Sequence, residues 1–176
     1  MGLLCLQLAK HQGAGTICAI DPMADRLAMA QQLKAQVVYD PTKQSGAEIL
    51  AEQGEFDVVI EAAGNQSALD LCTQLVTLHG RIILIGYHQS NNGQRTVNME
   101  RWNYKAIDVI NGHVRRDDEK VEAMRQGMAL MSAGHIITTP LVTFFDFAEI
   151  EQSFQQLTAG TPGLFKAVLR MQPTTD

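Results

Sequence analysis

The sequence predicts an α/β protein built on a doubly wound parallel sheet. Three observations favour this class: short apolar runs without polar alternation, helix-compatible stretches between those runs, and small residues directly after several of them. Apolar runs of this kind are typical of strands that are covered on both faces. With 176 residues, 45% of them hydrophobic, the chain is long enough to bury a sizeable core.

In the first half of the chain, helices and strands are predicted to alternate, and glycines mark several of the ends. Leu3 begins an apolar helix, Gly15 lies in the turn after it, and Gly54 is a natural helix stop. The predicted elements are helix 3–12, strand 16–20, helix 23–33, strand 37–39 and a weaker helix at 43–53.

The middle of the chain continues the same alternation. We predict strand 57–61, helix 66–78, a turn at 79–80, strand 81–86, a polar loop at 89–96, helix 98–105 and strand 106–110. Ala63, Gly64, Gly86 and Gly112 follow the strands, where ligands of such sheets bind and need close approach to the backbone.

The last third of the chain changes character. A long helix carries Val121, Met124, Met128 and Met131 at spacings of three and four, which predicts core packing. A strand at 141–145 precedes a D-x-x-E capping box at 146–149, with Phe145 and Ile150 placed as a hydrophobic staple. The helix that follows is predicted to end at Gly160, and a final strand covers 165–171.

Charge and cysteine content limit the class of partner. The formal net charge is −5 without clustered basic residues, so nucleic acid is not expected and a small molecule is favoured. Cys5, Cys18 and Cys72 show neither a disulfide framework nor a C-x-x-C pattern, which suits a reducing cytoplasm. We expect no membrane span and no signal peptide, because no apolar run approaches roughly 18 residues and Met1 opens a helix without a basic region.

Asp21 is the main functional candidate. In dinucleotide-binding folds, an acid about twenty residues beyond a glycine-rich turn accepts hydrogen bonds from the ribose hydroxyls. Asp21 follows the strand at 16–20, and Gly2 matches the last glycine of a G-x-G-x-x-G turn, although the first two glycines and their strand are absent. The alternative is that Asp21 only caps the helix that begins near Pro22.

The whole chain resembles the C-terminal half of a medium-chain dehydrogenase of the zinc-type alcohol and polyol dehydrogenase family. The resemblance is carried by MGLLCLQLAKHQGAGTICAIDPMADRLAMA, DVVIEAAGN, GRIILIGY and LVTFFDFAEIEQSFQQLTAGTPGLFKAVLRM. The last segment is specific, because in that family the chain returns to the catalytic domain with this strand, capped helix and strand. The resemblance implies a partial NAD-binding Rossmann domain at 1–113 and a segment of the catalytic domain at 114–176.

The resemblance also implies cofactor-binding residues. Asp21 and Arg26 match the acid and the base at the adenosine ribose, 63–64 the turn under the cofactor, 85–87 the segment beside the nicotinamide, and 111–112 the strand end that holds the carboxamide. The full set is Gly2, Asp21, Arg26, Ala63, Gly64, Ile85, Gly86, Tyr87, Asn111 and Gly112. Two alternatives stay open: Arg26 as a solvated residue, and the three glycines at strand ends as simple turn residues. His113 is interpreted as a loop residue, and the other histidines, His88 among them, lack metal-ligand spacing.

The function implied is that of an NAD-dependent dehydrogenase acting on a small alcohol or polyol, with NADP less favoured and a homo-oligomer as the intact enzyme. In the family, the zinc ligands and proton-relay groups precede the Rossmann domain, so neither zinc nor catalytic residues are expected in this chain, which should be inactive alone. The alternatives are a nucleotide-binding remnant or regulatory module, a zinc-free quinone-reductase-like relative, and a methyltransferase. The last fits poorly, because 61–64 (EAAG) lacks a polar substrate-binding motif.

The missing first strand has a structural consequence. In the strand order 3-2-1-4-5-6, strand one lies between strands two and four, so 16–20 and 57–61 should each have an unpaired edge. We also expect Phe144, Phe147, Phe154 and Phe165 to be partly exposed or folded back on the sheet, an apolar surface that favours association.

Overall fold

A computed structural model of the chain describes residues 1–171, and the last five residues of the predicted C-terminal segment lie outside this range. The described residues form the parallel α/β architecture that the sequence predicts. The helices are α1 (Gly2–His11), α2 (Ala24–Gln32), α3 (Gly46–Gln53), α4 (Gln66–Leu75), α5 (Met99–Lys105), α6 (Asp117–Ser132) and α7 (Ile150–Thr158). The strands are β1 (Cys18–Ile20), β2 (Val37–Tyr39), β3 (Phe56–Glu61), β4 (Val76–Leu84), β5 (Asp108–Asn111), β6 (Val142–Asp146) and β7 (Lys166–Arg170).

The strands are divided among three separate parallel sheets. β1 pairs with β2, β4 lies between β3 and β5, and β6 pairs with β7. Within residues 1–171, no ladder of hydrogen bonds joins β1 to β3. This is the gap that the missing first strand predicts.

Side chains bridge the gap that the backbone leaves open. Tyr39, Ile49 and Leu75 form one buried cluster, against which Ile20 of β1 and Val59 of β3 both pack. Burial of a large apolar side chain stabilises a fold by about 1.5–3 kcal/mol. The sheet of β1 and β2 and the sheet of β3, β4 and β5 are therefore held together by their shared apolar core.

The fourth strand differs from its prediction. α4 ends at Leu75 instead of residue 78, and β4 begins at Val76 instead of residue 81. The predicted turn at 79–80 is present as a bulge inside β4, where His79 has a φ of 57°. The register of β3 against β4 shows this bulge, because Phe56 is opposite Val76 whereas Val58, two residues later, is opposite Arg81. A bulge inserts extra residues in one strand, so the turn signal and the strand coexist.

The chain consists of two compact units, one up to Arg125 and one from Gln126 onward, and the division lies inside α6. The domain boundary expected between 113 and 114 stays a prediction. The core packing predicted for the stripe of α6 is wrong, because its four side chains are between 42% and 67% exposed. The spacing identified a common helix face, but spacing alone does not say whether anything covers that face.

The second unit contains the predicted strand, capped helix and strand. The Glu149 carboxylate accepts a hydrogen bond from the Asp146 backbone N–H at 2.9 Å, as the capping box requires, within a 3₁₀ turn (Phe147–Glu149) that precedes α7. β6 precedes that helix in the sequence and β7 follows it, and the two strands pair in parallel. Phe145 is buried while Ile150 is partly exposed, so the hydrophobic staple stays a prediction.

The predicted exposure of aromatic residues in this unit is confirmed. Phe144, Phe147 and Phe154 are exposed and Phe165 is half-buried. Among residues 1–171, no helix has both the length and the apolar composition needed to cross a bilayer.

Candidate functional site

The carboxyl ends of β3 and β4 are in direct backbone contact. Gly64, in the turn after β3, has a φ of 74°, and a Cβ on it would lie 2.7 Å from the carbonyl oxygen of Tyr87. A Cβ on Gly86 would lie 2.7 Å from the Gly64 Cα and would also overlap the Glu61 carboxylate. Real Cβ atoms do not approach other atoms this closely, so both positions require glycine.

The end of β5 continues this surface. The Gly112 N–H donates to the Leu84 carbonyl at 2.8 Å, and a Cβ on Gly112 would lie 2.7 Å from Cγ2 of Ile85. The Asn111 side-chain oxygen accepts from the His113 N–H at 3.0 Å. The segment 85–87 therefore lies between the turn at 63–64 and the turn at 111–112, and the three segments form one glycine-rich floor.

Tyr87 is the large side chain at this floor. It is 65% exposed, and its ring meets the His113 ring edge-on, with 5.9 Å between centroids. The His113 Nε2 lies 3.4 Å from the Gly86 carbonyl oxygen. This aromatic pair leaves the Tyr87 ring open to a ligand.

The acid after β1 has one oxygen engaged and one open. Asp21 Oδ1 accepts from the Met23 N–H at 2.9 Å, a local turn ahead of α2. The N-cap of α2 is Met23 and has no side-chain capping bond, so Asp21 does not cap this helix as the alternative interpretation has it. Asp21 Oδ2 lies 3.9 Å from Arg26 Nη1, and the two side chains are 31% and 49% exposed. Exposed pairs of this kind contribute about 0–1 kcal/mol, so Arg26 does not block the carboxylate from another partner.

Gly2 lies at the start of α1, next to the turn that follows β3. A Cβ on Gly2 would be 3.6 Å from the Ala62 Cβ, which is an ordinary contact. The structure thus brings seven of the ten predicted residues together at the ends of β3, β4 and β5, places Gly2 beside them, and leaves Asp21 and Arg26 as a pair at the end of β1.

A buried acid beneath the floor is a candidate site residue that sequence reasoning missed. Glu61 is 1% exposed, and its Oε1 accepts from the Ala63 N–H at 2.9 Å and the Gly64 N–H at 2.7 Å. Its Oε2 lies 3.0 Å from His88 Nε2, although the two atoms are not aligned as a hydrogen bond. The sequence did contain a signal for this residue, because Glu61 ends an apolar strand. A Glu that is buried in such a strand almost always has partners, so the sequence could have predicted polar partners for it.

The described residues provide no zinc site of their own. Between residues 1 and 171 there is no group of three or more His, Cys, Asp or Glu side chains that could hold a metal ion. The cysteines are also poor ligands, because burial raises the pKa of Cys18 to about 11 and that of Cys72 to about 12. Zinc binds the thiolate, which these pKa values disfavour.

The split parallel sheet and its glycine floor define the chain as an open parallel α/β domain with small residues at the carboxyl ends of its strands. Residues 1–133 match the family model of zinc-binding dehydrogenases, and the chain belongs to that family, as the resemblance predicted. It is 29% identical over 168 residues to L-threonine 3-dehydrogenase of Ruegeria pomeroyi, an alignment that covers 93% of this chain and 47% of the relative. The chain spans about half the length of the curated relatives that it matches.

Solved structures agree on the fold. An alcohol dehydrogenase from Escherichia coli CFT073 in complex with NADH is 21% identical, with a TM-score of 0.83 over 97% of this chain and 49% of that chain. A zinc-binding dehydrogenase from Sinorhizobium meliloti bound to NADP is also 21% identical, with a TM-score of 0.76 over 86% of this chain and 44% of that chain. At this identity the likeness shows the fold alone, and the two neighbours hold different cofactors.

Proposed function

We propose that this chain provides the NAD-binding part of a dehydrogenase that acts on a small alcohol or polyol. The observation that carries the proposal is the carboxylate of Asp21 at the end of β1, with one oxygen open beside the Arg26 side chain. Ligands of open α/β sheets bind outside the carboxyl ends of the strands, and an acid at this point accepts from the ribose hydroxyls.

The glycine floor fits the rest of a dinucleotide. Gly64, Gly86 and Gly112 let the three strand ends lie against one another without intervening side chains, so the backbone at this edge of the sheet is compact. Ligands of open α/β sheets bind at this edge and need such close approach to the backbone. The exposed ring of Tyr87 offers an apolar surface beside it. When bound, the nicotinamide supplies the hydride chemistry, and the residues of this chain hold and orient it.

Asp21 and Arg26 oppose each other in the choice of cofactor. A 2′-phosphate would meet the Asp21 carboxylate at close range, where like charges cost about 1–4 kcal/mol. An Arg beside the ribose has the opposite effect, because its guanidinium can accommodate that phosphate. Since the carboxylate accepts directly from the ribose hydroxyls and Arg26 is about half exposed, we propose NAD as the cofactor.

The test is a titration of NADH and NADPH against the wild type, Asp21→Ala and Arg26→Ala. We expect the wild type to bind NADH at least about tenfold more tightly than NADPH, because about 1.4 kcal/mol corresponds to a factor of ten. Asp21→Ala should reverse the preference, since Arg26 stays in place, whereas Arg26→Ala should weaken NADPH binding further. Equal affinities for the two cofactors in the wild type would refute the role of Asp21.

A second candidate is cofactor binding without turnover by this chain alone. It is favoured by the metal-ligating side chains of the chain, since a catalytic zinc needs three protein ligands and residues 1–171 hold no such group. We expect no alcohol oxidation by the chain with or without added zinc. Zinc that stays bound through dialysis and is lost on substitution of His113 or His135 would reveal a site and refute this candidate.

The remaining parts of the proposal come from the family. We propose that the intact enzyme is a homo-oligomer and acts in the cytoplasm. The second point is supported by the three cysteines of the chain, which are all free thiols.

A further inference from the structure

The polar loop that follows β4 is folded onto the turn that follows β3. His88 lies 3.0 Å from the buried Glu61 carboxylate, and Arg95 donates to the Gly64 carbonyl at 2.8 Å. We propose that Glu61, His88 and Arg95, here called the Arg95 clamp, position the glycine floor for the dinucleotide, an inference that rests on the proposed function.

Arg95 organises the loop with its full set of donors. An Arg side chain carries five N–H groups, and all five are used here. Nε donates to His88 Nδ1 at 2.8 Å, Nη1 to the carbonyls of Ser90 and Gln94 at 2.8 and 2.7 Å, and Nη2 to the Gly64 carbonyl at 2.8 Å and the Ser90 hydroxyl at 3.0 Å. A Lys side chain has three donors without this planar arrangement and cannot replace it.

Beyond Arg95, an amide pair attaches the same loop to α4. The Gln66 side-chain amide donates to the Thr96 carbonyl at 2.8 Å and accepts from the Thr96 N–H at 3.0 Å. The end of the loop is therefore fixed to the residues after β3 through Arg95 and Thr96, while its beginning lies against the last residue of β3 through His88.

The hydrogen bond from Arg95 defines which ring nitrogen of His88 is the acceptor. Arg95 can only donate, so His88 Nδ1 must accept and carries no proton. The neutral ring then has its proton on Nε2, the nitrogen that faces Glu61 Oε2. The clamp is thus a directed chain in which Arg95 sets the tautomer of His88 and leaves the Nε2–H on the side of Glu61 Oε2, 3.0 Å away although not aligned as a hydrogen bond.

Glu61 and Arg95 bind both polar backbone groups of Gly64. Its N–H donates to Glu61 Oε1 and its carbonyl accepts from Arg95 Nη2. The Ala63 N–H is likewise donated to Glu61. These N–H groups are therefore not free to bind a dinucleotide, which can only pack against the surface of the turn. Since Arg95 sets the position of the turn, it also decides how well the dinucleotide fits.

The first experiment compares Arg95→Met and Arg95→Lys with Arg81→Ala as a matched control. Arg81 is a half-exposed Arg on β4 that pairs with Asp108 at 3.0 Å and does not contact the clamp. We expect both Arg95 variants to lose at least about tenfold in NADH affinity and to exchange the amides of Ala63 and Gly64 faster. The control should change neither quantity.

The second experiment uses Glu61→Gln to distinguish the directed chain from simple packing. In this variant, the new amide group can place its NH₂ against the His88 Nε2–H, so two donors face each other. Adding Arg95→Met frees His88 Nδ1 to take the proton, and Nε2 then accepts from the amide. We therefore expect Arg95→Met to cost less NADH affinity in the Glu61→Gln background than alone, and two-bond ¹H–¹⁵N spectra to show the proton of His88 on Nε2 in the wild type.

The outcomes separate the two proposals. If the wild type fails to bind NADH or NADPH, the proposed function is wrong and the positioning role fails with it. If the wild type binds NADH and Arg95→Met binds it equally well, only the clamp is refuted. Strictly additive losses in the double variant would also overturn it, because additivity means that Glu61 and Arg95 act independently. An Arg95→Lys variant with wild-type affinity would overturn it as well, because the planar set of donors would then not be needed.

Discussion

Gly64→Ala tests whether the close approach of two strand ends is as tight as the structure indicates. Two separate costs are expected at this position. A φ of 74° costs an alanine about 1–2 kcal/mol, and a Cβ placed 2.7 Å from the Tyr87 carbonyl oxygen adds about 1–3 kcal/mol of overpacking. The sum is a destabilisation of about 2–5 kcal/mol.

Two variants separate the terms. Gly13→Ala has a φ of 85° but nothing within 4 Å of the added Cβ, so it should show only the first cost. Gly86→Ala is not at a positive φ but would place its Cβ 2.7 Å from the Gly64 Cα, so it should show only the second.

Urea unfolding followed by circular dichroism measures the free energy of unfolding for the four proteins. For a chain of this size, each kcal/mol also lowers Tm by about 2–4 °C, which gives an independent reading. A Gly64→Ala variant no less stable than Gly13→Ala would refute the reasoning, because it would mean that the two strand ends separate without cost.

Three further predictions concern other parts of the chain. Hydrogen bonds from Thr42, and then from Lys43, lower the pKa of Asp40 from 3.8 to about 2. The ionised carboxylate therefore stabilises the fold above pH 3.8, and this contribution is lost as the pH falls towards 2. Asp40→Asn should lower Tm at pH 7 and match the wild type near pH 2. Burial raises the pKa of Cys18 to about 11 and that of Cys72 to about 12. Both thiols should therefore react with a thiol reagent at pH 8 at least about a hundredfold more slowly in the folded chain than in urea. Equal rates in the two conditions would contradict the burial of these thiols. The unpaired edges of β1 and β3 should show early amide exchange and promote association, and a monomer with slow exchange in both strands would show that the gap is closed.

Local signals in the sequence predicted most elements of the fold. The capping box at Asp146 and Glu149 and the helix stop at Gly54 depend on neighbouring residues only, and both are present. The bulge at His79 shows the limit of such signals, because a turn and a strand start compete over the same residues and the pairing with β3 decides between them. The exposed stripe of α6 shows another, since periodicity gives a face but not its partner.

The candidate site was predicted only in part, for a comparable reason. Glycines at strand ends are visible in the sequence, and the structure brings Gly64 and Gly86 into contact. The Arg95 clamp was not visible, because Glu61 and Arg95 are far apart in the sequence and the loop at 89–96, which contains Arg95, shows only a polar composition. Its geometry depends on how a loop folds over a turn, which has no periodic signature.

The central claim, that a dinucleotide lies across the ends of β1, β3, β4 and β5, is tested most directly by mapping NADH onto the ¹⁵N-labelled chain. Amide chemical shifts recorded during a titration report which residues meet the ligand. We predict that the largest saturable shifts fall at Asp21, Gly64, Gly86 and Gly112, and that they weaken together in Asp21→Ala. Saturable shifts confined to other residues, such as those of β6 and β7, would contradict the account.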